Sequence, residues 1–242
     1  MLARELISLH EAPREAPLFS ESYPQLSAAA GYEAARALHE HRVASGWRAV
    51  GRKIGFTNRT VHGRTLIRAV DNHARVPLQG LVNPRIEPEC FGLRSIPDRR
   101  RLTDCIEWMA HSIEIVQCHH MNWKLTLADA TTDNGLHVRL IVGARFGIPE
   151  DLEARLPAVQ AELYRGRDLV DRGGAANVLG SPLAALAYLI EVLGKQPHAP
   201  ALCAGEIVST GTITDAHPVA AGETWSTRIS GLPLPGLTVE FA

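Results

Sequence analysis

Apolar and polar positions change their rhythm along this chain. Residues 3–10 carry a helical spacing that stops before Pro13. A second helix is predicted from about Leu26 to Ala44, with Tyr32, Ala35, Leu38 and Val43 at helical spacing and Gly46 closing it. Residues 1–47 therefore read as a helical segment packed on a larger body, residues 48–242. From Arg48 onward short apolar runs alternate with Gly, Pro and Asn. Strands are predicted at Ala49–Thr57, in one or two pieces across "VNPRIEPECFGL", through "SIEIVQC" and over Gly135–Gly143. A helix is predicted between them at Leu102–His111. "AVQAELYRGRDLVDRG" predicts a hairpin turning at Arg165-Gly166. Ser181 followed by Pro182 and an apolar stretch to Leu193 predicts a capped helix ended by Gly194. Three further strands are expected at Glu206–Gly211, Thr224–Ile229 and Gly236–Phe241. Strands outnumber helices and do not alternate with them, so the pattern predicts an α+β body with a mixed, mainly antiparallel sheet.

Composition adds exclusions. Of 242 residues, 45% are hydrophobic and 21% charged, as in a globular chain with a sizeable core. Net charge is -1, from 25 basic and 26 acidic residues, and the longest basic run is "PDRRR". No nucleic-acid or membrane-surface partner is expected. The four cysteines form no C-x-x-C pair and read as reduced thiols. No signal peptide is apparent, and no uninterrupted apolar run approaches the ~20 residues of a membrane span, so a cytoplasmic location is expected.

The candidate chemistry starts at "RIEPECFGLR". On a strand, residues two apart share a face, so Glu87 and Glu89 project together. Pro88 between them cannot donate to a ladder, which places this strand at an edge or a cleft. Adjacent carboxylates repel unless a cation lies between them. Two readings stay open: a solvated edge, or part of a site for a hard divalent ion. Glu107, Glu114, Asp129 and Asp133 are candidates for a third carboxylate. Glu114 stands out because Ile113 and Ile115 flank it, and a buried charge is normally paired or metal-bound. An ion pair with Lys or Arg is the alternative. Cys118, His111, His119 and His120 match no common zinc spacing and read as structural. Asp133-Asn134-Gly135 is a turn signal. Ser181 and Ser209 lack the G-x-S-x-G context of a serine hydrolase.

Six stretches, "GRKIGFTNR", "PRIEPE", "WMAHSIEIVQCHHMNWK", "ADATTDNGLHVRLIVG", "LGSPLAALAYL" and "GEIVSTGTITDAHPVAAGETW", occur in an order that resembles the fumarylacetoacetate hydrolase superfamily. The resemblance is to its 2-keto-4-pentenoate hydratase branch, which includes 2-oxo-acid decarboxylases, and spans about Tyr23 to Phe241. It implies a β-sheet roll of the superfamily's C-terminal-domain type behind N-terminal helices. It also implies a Mg²⁺ or Mn²⁺ site, with Glu87, Glu89 and Glu114 as ligands. Lys53 matches the lysine beside the substrate, Gly55, Thr57 and Thr212 match substrate-contacting positions, and Asp133 and Asn134 lie behind the metal. The implied activity is that of a metal-dependent lyase, a hydratase of a small 2-oxo or 2-hydroxydienoic acid, in a homo-oligomer. Decarboxylation, hydrolysis of an acylpyruvate, or a binding protein without catalysis are the alternatives. One departure is the short, basic stretch from Asn58 to Leu78, where relatives carry a longer aromatic and acidic cover. Asp71 is the acid available there.

Overall fold

The computed structural model describes residues 1–54, 59–62, 65–92, 101–195 and 200–242, with the backbone alone at 59–62 and 90–92. Helices α1 (Leu2–Glu11), α2 (Phe19–Ser22) and α3 (Ala28–Ala44) open the chain. Ser27 caps α3 by accepting a hydrogen bond from the Ala30 N–H, and Gly46, at φ +80°, takes the left-handed turn out of it. The three helices share an apolar cluster of Leu6, Leu9, Phe19, Ala34 and Leu38. Short strands follow: β1 (Ala49–Lys53), β2 (Arg59–His62), β3 (Leu66–Arg68) and β4 (His73–Val76). Next come the long strands β5 (Arg85–Gly92) and β6 (Trp108–Val116), then α4 (Leu127–Thr132), β7 (His137–Val142) and α5 (Leu152–Arg155). The hairpin β8 (Gln160–Arg165) and β9 (Asp168–Gly174) precedes α6 (Pro182–Lys195), and β10 (Ile207–Ser209), β11 (His217–Pro218), β12 (Thr224–Ser230) and β13 (Thr238–Phe241) end the chain.

The strands make three sheets, ordered β10-β1-β2, β11-β5-β6-β7-β3 and β4-β13-β12-β8-β9. Among the described residues three pairings are parallel (β1 with β10, β13 with β4, β3 with β7) and seven are antiparallel. The mixed, mainly antiparallel expectation therefore holds. The two five-stranded sheets bury Ile86, Ile113, Ile115, Ile141, Leu163, Trp225, Val239 and Phe241 between them. The other face of β6 and β7, with Trp108, Ala110, Leu140 and Val142, meets Ile207 of the three-stranded sheet. On the far side of that small sheet, Val208 packs with Leu186, Leu189 and Leu193 of α6.

Two expectations change. Leu102–His111 is not a helix: a 3-10 turn covers Leu102–Cys105, and β6 begins at Trp108. All nine residues of β6 are buried, so the strand lacks the polar-apolar alternation that marks a one-sided strand. Helix α6 runs through Gly194 to Lys195. The stretch Ala175–Lys195 is also long and apolar enough by composition to cross a membrane. Here Ala185, Leu186, Leu189 and Leu193 are buried on one side of α6, as in a core helix.

Candidate metal centre

Strand alternation decides which face carries charge. Ile113 and Ile115 point between the two large sheets, so Glu114 points the other way, toward the three-stranded sheet. Ile86 likewise points into the inter-sheet core, which turns Glu87 and Glu89 to the Glu114 side. Glu87 stands directly opposite Glu114 across the β5–β6 pair, and Glu89 stands opposite Ser112. One oxygen from each of the three carboxylates lies within 4.8 Å of the others. Glu114 and Glu89 are 0% and 1% exposed, and Glu87 is half-buried. Pro88 does border an opening in the sheet. Strand β11 covers only Arg85 and Ile86, and the Pro88 carbonyl instead accepts from the Ile213 N–H at 2.9 Å.

Lys53 approaches from the three-stranded sheet. Its Nζ lies 2.9 Å from Glu114 Oε2 and donates to the Gly135 carbonyl at 2.8 Å. Gly51 makes that approach possible, because a Cβ there would stand 1.9 Å from the Ile207 carbonyl oxygen of β10. The Gly135 carbonyl is presented by an unusual turn. Asn134, Gly135 and Leu136 all take positive φ, at 52°, 60° and 65°. Such a left-handed run costs roughly 1–2 kcal/mol per residue with a Cβ, and such conformations cluster at functional sites. The other side of Glu114 is held by His137, whose Nδ1–H donates to Oε1 at 2.6 Å while its Nε2 accepts from the Thr65 hydroxyl at 3.0 Å.

The charges do not balance on protein groups alone. Burial, with the Glu114 charge adding to it, pushes the Glu87 carboxyl up to about 7 against the opposing pull of Lys53. Burial and Glu114 push Glu89 well above the usual carboxylate range. For Glu114 the attraction of Lys53 and His137 outweighs burial and holds it low. For Lys53 the pull of Glu114, Glu87 and Glu89 outweighs burial and keeps the ammonium charged. Among the described residues, Lys53 is the cation in direct contact with this group of three acids, and the buried Glu89 Oε2 has no hydrogen-bond partner. Three converging carboxylates with an orphaned oxygen fit a hard divalent ion, which takes oxygen ligands.

Of the other expected residues, Thr212 lies beside β5, since Ile213 bonds Pro88, but its hydroxyl donates to the Thr214 carbonyl at 2.8 Å. Gly55 and Thr57 lie outside the described residues. Asp71 sits exposed in the tight turn between Val70 and His73. Asp133 uses its carboxylate elsewhere: His119 Nδ1 lies 2.8 Å and His10 Nε2 3.1 Å from Oδ1. Arg42 donates to His10 Nδ1 at 3.1 Å, so His10 carries its proton on Nε2 and donates a hydrogen bond from it to Asp133. Burial lowers the His10 pKa, and the two imidazoles hold Asp133 well below the usual range despite its burial. With Arg42 supplying the opposing charge, this cluster pins α1 to the body. His111 is also structural: Nδ1–H donates to the Glu89 carbonyl at 3.0 Å, and Nε2 accepts from Thr227 Oγ1 at 2.7 Å. Burial lowers its pKa to about 4. His137, Thr65 and the Gly135 carbonyl were not foreseen. His137 had the same signal as Glu114, a polar residue entering an apolar strand.

No protein-family model matches the chain. It is 31% identical over 207 residues to 2-keto-4-pentenoate hydratase 2 of Dechloromonas aromatica strain RCB, covering 78% of each chain. This chain belongs to the hydratase and decarboxylase branch of the fumarylacetoacetate hydrolase superfamily. Within that branch it is also 25% identical over 244 residues to 4-oxalocrotonate decarboxylase of Pseudomonas sp. strain CF600, covering 93% of this chain and 89% of that one. Its fold matches that of 4-oxalocrotonate decarboxylase from Pseudomonas putida G7, solved with magnesium and adipate. The TM-score is 0.88 at 22% identity, over 100% of this chain and 96% of that one. Fumarylpyruvate hydrolase from Pseudomonas aeruginosa, solved with Mn²⁺ and pyruvate, is more distant, with a TM-score of 0.56 at 13% identity over 77% and 78% of the two chains. The superfamily roll with N-terminal helices is thus the fold of this chain.

Proposed function

We propose that this protein is a divalent-metal-dependent hydratase of a small 2-hydroxydienoic acid, with Mg²⁺ or Mn²⁺ held by Glu87, Glu89 and Glu114. The observation that carries the reading is the buried Lys53–Glu114 pair beside two carboxyls that lack a partner cation, in a chain 31% identical to a named hydratase. When bound, the cation supplies a Lewis acid beside the keto oxygen of a chelating 2-oxo acid. The chain's own residues do the rest. Glu87 and Glu89 would hold the cation as carboxylates, because an opposite charge reverses the effect that burial has on them. His137 fixes the Glu114 carboxylate through Oε1 and leaves Oε2 facing Lys53. The reaction moves one proton from the 2-hydroxyl to carbon and adds water across the resulting conjugated double bond. Lys53 Nζ, beside Glu114, is the group placed to give a proton to carbon and take one back from the 2-hydroxyl, and a cation sharing the Glu114 charge would weaken its hold on that proton.

The test follows the ultraviolet absorbance of 2-hydroxypenta-2,4-dienoate with and without Mg²⁺. Metal-dependent loss of the diene supports the proposal. Glu89→Ala should then lower kcat/KM by roughly 10³-fold, since several kcal/mol of Lewis-acid stabilisation are lost. Metal-independent turnover, or an unaffected Glu89→Ala, refutes it. A decarboxylase is the second reading, favoured by the 93% coverage of this chain in the match to 4-oxalocrotonate decarboxylase. Release of CO₂ from a 2-oxo-enedioic acid, without hydration of the monoacid, selects it.

A further inference from the structure

Strand β10 carries a serine that the mechanism above does not use. Ser209 is 1% exposed, and its hydroxyl has no hydrogen-bond partner among the described residues. A buried hydroxyl left unpaired is costly, so such a group needs an explanation.

Its direction follows from the pleat. Ile207 packs against Trp108, Ala110 and Leu140 of the metal-bearing sheet, and Val208 packs against α6 on the opposite side. Ser209, two residues beyond Ile207, faces the metal-bearing sheet again. It pairs in parallel register with Lys53, whose Nζ reaches Glu114 on that same side. The next residues pass directly beside the paired glutamates, since the Ile213 N–H bonds the Pro88 carbonyl between Glu87 and Glu89. Strands β10 and β5 lie against each other, so Ser209 and the paired glutamates are carried on neighbouring strands, with Lys53 between them.

We infer that the Ser209 hydroxyl is a ligand-contacting donor, placed beside Lys53 to bind the carboxylate of the 2-oxo acid once it chelates the metal. The inference rests on the metal-dependent 2-oxo-acid reading and adds a residue to it. An uncharged O–H beside the lysine grips the carboxylate without a second ammonium that would compete with the cation for the cage. The ligand carboxylate would supply the acceptor that the hydroxyl lacks among the described protein groups.

The experiment compares the parent protein with Ser209→Ala by calorimetry, first with Mg²⁺ alone and then with oxalate at saturating Mg²⁺. The expected result is unchanged Mg²⁺ affinity and oxalate binding weakened by roughly tenfold or more, the loss of one charge-assisted hydrogen bond. Thermal melting of the ligand-free variant separates this from a structural role. Deleting an unpaired buried hydroxyl should leave Tm unchanged or raise it by a few degrees, roughly the effect of about 1 kcal/mol in a domain of this size. Oxalate affinity equal to the parent's overturns the inference while the metal site stands. A drop in Tm of several degrees also overturns it, because the hydroxyl would then serve the fold. A parent protein that binds neither Mg²⁺ nor oxalate takes down the proposed function together with this inference.

Discussion

Replacing Lys53 with Met tests the electrostatics of the cage most directly. In the metal-free protein the change removes the cation 2.9 Å from Glu114 and leaves that carboxylate, 0% exposed, with His137 as its remaining partner. Breaking a buried pair from one side typically costs about 3–5 kcal/mol. Here the protein can escape by protonating Glu114, which sets a ceiling. At pH 7 that protonation costs about 2.7 units times 1.36 kcal/mol, or about 3.7 kcal/mol, relative to an unfolded glutamate near 4.3. In a chain of 242 residues this corresponds to a Tm lower by roughly 7–15 °C. The pH dependence has a definite sign. Without Lys53 the folded Glu114 pKa lies above its unfolded value, so the folded state binds more protons and stability falls as pH rises from about 4.3. At pH 5 the penalty shrinks to about 1 kcal/mol. Saturating Mg²⁺ should restore part of the loss at pH 7, since a ligand of the folded state stabilises it. The assay is urea unfolding of both proteins at pH 5 and pH 7, with and without Mg²⁺. A penalty at pH 7 under 1 kcal/mol, or one that does not shrink at pH 5, refutes the charge argument.

Three further outcomes are expected. Mg²⁺ affinity should fall as pH drops below about 7, where Glu87 takes up a proton beside the already protonated Glu89 in the free protein, by up to roughly a hundredfold per pH unit for two displaced protons; proton release seen by calorimetry in buffers of different ionisation heat checks it, and pH-independent affinity between 5.5 and 7 contradicts it. His137→Asn should weaken Mg²⁺ binding by about 10- to 100-fold while the far-ultraviolet circular dichroism stays unchanged, because Glu114 loses its orienting donor. Gly51→Ala forces a methyl to within 1.9 Å of the Ile207 carbonyl; it should cost about 3 kcal/mol in urea unfolding and parts β1 from β10.

Much of this architecture was legible because its residues follow local rules. The hairpin turns at Gly166 with φ 59°, where the sequence places it. Glu114 betrayed itself as a charge between two isoleucines, and Pro88 correctly marked a place where the ladder is open. The start of β6 resisted reading because both faces of the strand are buried, toward Trp225 and Val239 of the facing sheet on one side and toward Ile207 on the other, so it carries no alternation, while "SIEIVQC" was legible as a strand. The partners of the cage were hidden for a different reason. Gly135 reaches Lys53, His137 reaches Glu114 and Thr65 reaches His137, all through tertiary contacts across 23 to 82 positions of chain. The pin formed by His10, Arg42 and Asp133 spans 123 positions between its ends and has no local pattern. In the helical segment His10 looked ordinary, because its partner is set by the docking of α1 rather than by its neighbours.

The lysine and the glutamates of the cage come from different sheets, joined by the apolar seam of Trp108, Ala110, Leu140, Val142 and Ile207. The spacing between ammonium and carboxylates is therefore not a property of either sheet. It is the docking distance of the seam, read out in charge. A methylene removed from Ile207 touches no ligand, yet it alters how closely β10, and Lys53 beside it, sits over Glu114. Close packing transmits such sub-ångström shifts rather than absorbing them. Cation affinity in this protein can thus drift through substitutions in plain hydrocarbon, and variants selected for altered metal preference need carry no change among the acidic residues themselves.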